Sequence, residues 1–118
     1  MSEQVQNQQI SLEKRDGTVI VRPQVKMMDD DQLKKLIAAI DEAAGADSGV
    51  KMVILDLSRI TILPSLALGL MVQISRNCKV RDQKLKLAAV QTHIRKVFAV
   101  TRLDRVFQFA DSVEAAME

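Results

Sequence analysis

The sequence predicts an α/β domain: a mixed sheet of four to five strands, opened by an antiparallel hairpin and continued by β-α repeats with about four helices. Three observations carry this. Strand-like and helix-like patterns alternate along the 118 residues, as in a mostly parallel sheet joined by crossover helices. Residues 50–57, VKMVILDL, form a nearly continuous apolar run bounded by turns, the pattern of a central strand covered on both faces. Asp16-Gly17 lies between two strand-like segments and reads as a hairpin turn, since glycine accepts a positive φ and aspartate tolerates one.

The elements follow in order. Residues 1–7 are a Gln/Asn/Ser-rich lead-in, expected to be mobile unless held by a partner, and residues 8–118 are expected to form a single domain. Ile10 and Leu12 alternate with polar neighbours in the first strand; Thr18 to Val21 form the second, which Pro23 closes. Asp29 is the expected cap of the first helix, with Gln32 completing a capping box and Asp30 and Asp31 suited to the positive end of the helix dipole. Leu33, Leu36, Ile37, Ile40 and Ala44 trace one apolar face of that helix, and Gly45 ends it. The strand at 50–57 leads to Pro64, which disfavours helix at Leu63, so a second helix is expected over 65–81. A strand at 85–89, a helix through Ile94, Val97, Phe98 and Thr101, a strand at 106–109 and a final helix over 111–118, capped by Asp111, complete the order β-β-α-β-α-β-α-β-α.

Composition narrows the function. With 47% hydrophobic and 27% charged residues the chain fits an ordinary globular domain. A net charge of +2 is too near neutral to make nucleic acid the default partner. No Trp or Tyr offers a stacking platform for bases. One Cys and one His cannot supply a four-ligand zinc site, and any serine triad would have to pass through His93. There is no glycine-rich phosphate loop. No enzyme, metal or cofactor is expected. The lone Cys78, the polar N-terminus and the absence of an 18-residue apolar run suit a cytoplasmic protein that does not insert into membranes.

Each remaining candidate has a plain structural role beside its chemical one. Cys78 falls in phase with the apolar stripe of its helix and reads as a core residue. His93 opens a helix and reads as solvent-facing or capping. Arg76, Lys79, Arg81, Lys84 and Lys86 read as a solvated helix end, with anion binding as the alternative. Ser65 follows a buried strand and a proline and opens a long helix. It reads first as an N-cap, with the alternative of a hydroxyl whose phosphorylation a helix N-terminus would stabilise.

Residues 55–74, LDLSRITILPSLALGLMVQI, resemble the central motif of STAS domains, the family of bacterial anti-sigma factor antagonists, whose pattern is approximately LDLSxVxxIDSSGLGxLL. Asp56, Leu57 and Ser58 match the strand end, Ile60 and Leu63 its apolar positions, and Leu68, Gly69 and Leu70 the helical step. The segment LKLAAVQTHIRKVFAVTRLDRVFQF resembles the family's fourth strand, third helix and ending. The resemblance implies a four- or five-stranded sheet with helices on one side. It also implies a switch in which the antagonist binds an anti-sigma factor that doubles as a serine kinase, and phosphorylation releases it. By position the phospho-acceptor is Ser65, and the partner-binding surface is the segment Pro64, Ser65, Leu66, Ala67, Leu68 and Gly69, extending to Met71. Pro64 stands where the family has Asp, Leu66 where it has a second serine and Ala67 where it has Gly. These departures keep open a non-phosphorylated STAS scaffold, or a subunit of a signalling or transporter assembly, built with other STAS proteins or a second copy of the chain. A small-molecule-binding domain or enzyme would need a pocket with convergent polar groups.

Overall fold

The computed structural model describes residues 9–118; the expected lead-in at 1–7, and residue 8 where the domain is expected to begin, lie outside the described residues. The hairpin forms as read. Strand β1 (Ile10–Arg15) pairs antiparallel with β2 (Thr18–Pro23). Asp16 (φ 47°) and Gly17 (φ 83°) both lie in the left-handed region, which a two-residue type I′ turn requires at both positions. From β2 the chain passes through helix α1 (Asp30–Ala43), strand β3 (Met52–Asp56), a 3₁₀ turn (Ser65–Ala67) and helix α2 (Leu68–Val80). Strand β4 (Lys84–Ala88), helix α3 (Thr92–Val100), a second 3₁₀ turn (Leu103–Arg105), strand β5 (Gln108–Ala110) and helix α4 (Val113–Met117) follow.

The sheet order is β1-β2-β3-β4-β5, parallel from β2 onward. Alternation along the strands separates two cores. Val21, Leu55 and Leu87 stand in register across β2, β3 and β4. They face the larger core with Leu33, Leu36 and Ile40 of α1, Met71, Ile74 and Cys78 of α2, and Ile94 and Phe98 of α3. Ile20 and Ile54 point the other way and are covered by Val113 and Ala116 of α4. The resemblance implied helices on one side; three take that side, and α4 packs on the opposite face. The reason lies in β2 and β3, whose apolar runs leave Ile20 and Ile54 to be covered on the far face. Lys86, in register beside Ile54, donates from Nζ to the carbonyl of Ala116 at 2.7 Å and ties down the last turn of α4.

Several ends differ from the sequence reading. The central strand spans Met52–Asp56 rather than 50–57; Val50 and Leu57 are buried but outside the ladder. Asp29 caps α1 by accepting from Gln32 N at 3.0 Å, but Gln32 does not close the box, because its side chain reaches Gln9 instead. The cap of α4 is Ser112, which accepts from Ala115 N at 3.0 Å, not Asp111. Ser112 is extended (φ −153°, ψ 168°), the conformation that aims a side-chain oxygen at the third amide of a helix. Arg81 pairs with Asp41 and Gln83 and Lys86 with Ala116, so two cations of the suspected basic cluster have internal partners.

Candidate functional site

In a sheet whose parallel strands are joined by helices, loops that leave the carboxyl ends of the strands gather at one edge. Here β2 leads through residues 24–29 into α1, β3 through residues 57–64 into α2, and β4 through residues 89–91 into α3. The predicted residues collect at this edge. Asp56 closes β3 and accepts from Ser58 N at 3.0 Å, turning the chain out of the sheet. Its second oxygen meets Arg22 Nε at 3.3 Å, and Arg22 also reaches Glu13 at 2.8 Å. Hydrogen bonds from Arg15 and then Arg22 hold the Glu13 carboxyl below the usual carboxylate range.

Leu57, Ile60 and Leu63 are buried and anchor the loop after β3. Between these anchors Thr61 N and Ile62 N both donate to Lys26 O, and Met28 N donates to Ile62 O at 2.9 Å, so the loop lies against the segment that enters α1. Pro64 is extended (φ −62°, ψ 139°), as its ring favours. Its carbonyl accepts from Ala67 N at 2.9 Å to close the 3₁₀ turn. Ala67 and Leu68 point inward and are buried. Ser65, Leu66 and Gly69 are exposed, with Leu66 at 92%.

The expected N-cap role of Ser65 is overturned: neither the 3₁₀ turn nor α2 has a side-chain cap bond, and the residue at the start of the turn is Pro64. Pro64 sets the turn one residue early, so Ser65 is its first helical residue rather than its cap. The serine hydroxyl is left on the surface, with no hydrogen bond to another side chain or backbone group among the described residues. Beside it, Asp29, Asp30, Asp31, Pro64 and Leu66 line an open groove of about 290 Å³. Met27 and Ile62, bridged as a short parallel pair, are exposed at 44% and 52%. The result is an apolar ridge with an acidic wall. The sequence reading gives Asp29–Asp31 to the cap and dipole of the helix; their place beside Pro64 and Leu66 arises from β2 and β3 being neighbours, which local patterns do not show.

The other candidates take structural places. Cys78 is buried, and desolvation pushes its thiol above the ordinary value, so it is a poor nucleophile. His93 is exposed, and its Nε2 lies 2.6 Å from Thr61 O. Among the described residues no group of three or more His, Cys, Asp or Glu is arranged to hold a metal ion, and no helix is long and apolar enough to cross a membrane.

Comparison with known proteins agrees with this geometry. BtrV of Bordetella bronchiseptica, named as an anti-sigma factor antagonist, is 28% identical over 109 residues, covering 91% of this chain and 90% of its own. A solved protein from Thermotoga maritima, named as an anti-sigma factor antagonist, superposes with a TM-score of 0.78 at 20% identity, covering 92% of this chain and 91% of its own. The Bacillus antagonist SpoIIAA superposes in its unphosphorylated form with a TM-score of 0.73 at 22% identity, over 92% of each chain. Its phosphorylated form gives 0.68 at 22% identity, over 92% of this chain and 96% of that one. The family model for the STAS domain matches residues 9–116. With the hairpin, the parallel strands and the Ser65 turn all inside that span, the chain belongs to the STAS domain family.

Proposed function

We propose that this protein is an anti-sigma factor antagonist that acts as a phosphorylation-controlled partner switch. The unmodified chain docks through the turn from Pro64 to Gly69 onto an anti-sigma factor that is also a serine kinase, in the cytoplasm, and phosphorylation of Ser65 ends the docking. It catalyses no reaction itself. The observation that carries this reading is the exposed, uncapped hydroxyl of Ser65 beside the 92%-exposed Leu66. A surface leucine costs nothing to leave in water once folded, but its burial against a partner contributes about 2 kcal/mol. Relatives named as anti-sigma factor antagonists, one of them solved with and without phosphate, support it. A phosphate adds nearly two negative charges beside Asp29, Asp30 and Asp31. That concentration of like charge opposes burial of the turn in an interface.

A second reading is favoured by Pro64 and Leu66, which replace the acidic and hydroxyl residues of the family's motif: a STAS scaffold that binds its partner without phosphorylation. The two readings part on one substitution. Under the switch, Ser65→Asp weakens binding to the anti-sigma kinase of the source cells at least tenfold and Ser65→Ala leaves it intact, by titration calorimetry. Equal affinity of Ser65→Asp and the unaltered chain selects the scaffold.

A further inference from the structure

We propose that Gln91 and His93, at the start of α3, are positioning residues for the Ser65 turn, acting through the carbonyl groups of the loop that delivers it. Gln91 donates from Nε2 to Ser58 O at 2.9 Å. His93 Nε2 lies 2.6 Å from Thr61 O, and since a carbonyl only accepts, that nitrogen carries the proton. The two contacts are a ladder from one helix end onto one loop.

Neither side chain is required by α3 itself. Gln91 occupies the cap position of α3, yet its side chain makes no cap bond; its amide is directed across to the neighbouring loop. The helix is already fixed by Ile94 and Phe98, which are 2% and 0% exposed, while His93 is exposed. The loop, in turn, has its depth set by the buried Leu57, Ile60 and Leu63, and on its far side Thr61 and Ile62 lean on Lys26 O. Gln91 and His93 supply the restraint from the opposite side. Together the two sides fix residues 58–62 laterally, and Pro64, with its restricted φ, transmits that placement to Ser65. Amide and imidazole side chains suit this task, because each donates through an N–H of defined direction.

The role in docking rests on the function proposed above; the restraint of the loop does not, and the test separates them. Amide hydrogen exchange is measured at Thr61 and Ile62, with Gln83, whose N–H is bonded to Cys78 O far from the loop, as control. His93→Ala and Gln91→Glu should each speed exchange at Thr61 and Ile62 about fivefold, the equivalent of one lost hydrogen bond, and leave Gln83 unaltered. His93→Gln, which restores an N–H donor, should recover most of the protection. Transfer of phosphate from ATP to Ser65 by an extract of the source cells should then need about fivefold more of the alanine variant for half-saturation, with the maximal rate preserved. Unaltered exchange in both variants overturns the proposal. So does faster exchange with unaltered half-saturation in an extract that modifies Ser65. If the extract never modifies Ser65, the proposed function fails, and the exchange rates still decide whether the two residues hold the loop.

Discussion

Residues at the proposed docking edge separate what folding needs from what it does not. Gly69 lies in the first turn of α2, where glycine costs about 1 kcal/mol relative to alanine. Its φ is not positive, and a Cβ placed there would meet nothing within 4 Å. The fold therefore gives no reason for glycine at this position, whereas a partner approaching the helix closely does. Gly69→Ala should raise stability by up to about 1 kcal/mol in urea unfolding and weaken partner binding at the same time. Stability unaltered or raised with binding intact would remove Gly69 from the interface. Leu66, being almost wholly exposed, should behave likewise. Leu66→Ser is expected to shift stability by less than about 0.5 kcal/mol and to weaken partner binding several-fold by calorimetry. Cys78 marks the opposite case: burial raises its pKa, so it should react with a thiol reagent at pH 8 only after unfolding.

Elements were legible where a period repeats and less so where they end. The hairpin is written in Asp16-Gly17, α1 in the spacing from Leu33 to Ile40, and β3 in an unbroken apolar run. The ends of β3 and the cap of α4 differ from the sequence reading because burial continues past the strand at Val50 and Leu57, and because Asp111 and Ser112 are both able caps. Ser65 lies at the start of the expected element but in a different local role, since a proline with ψ near 139° starts the turn itself. The grips of Gln91 and His93 on residues 58 and 61 were not legible: they join segments more than 30 residues apart, and no periodicity encodes them. The third helix shows how much packing stands behind this edge. Phe98 is fully buried and meets Phe107 and Phe109 edge-to-face at 5.4 and 5.5 Å, with Arg95 over the Phe109 ring at 4.4 Å. Phe98→Ala should cost about 3–5 kcal/mol in urea unfolding, whereas a cost below 1 kcal/mol would contradict this packing.

At the scale of the whole molecule, the sheet divides stability from function. One end carries the Asp16-Gly17 turn, and the far face carries α4 and the charges of Arg15, Glu13 and Arg22, the last of which reaches Asp56 at the carboxyl end of β3. The proposed docking edge lies at the other end, at the carboxyl ends of β2, β3 and β4. Because the folded Glu13 carboxyl titrates below its unfolded value, its contribution is present above the unfolded pKa, about 4.5, and is lost as pH falls through the folded one. Glu13→Gln should therefore flatten the fall of stability below about pH 4.5 in thermal melts. The central claim is that Ser65 is the switch of this edge. Its most direct test is intact-mass and peptide mass spectrometry after incubating the chain with ATP and an extract of its source cells. The account predicts a single added phosphate mapped to Ser65 and absent from Ser65→Ala. An unmodified Ser65, under conditions that phosphorylate another STAS protein, would contradict it.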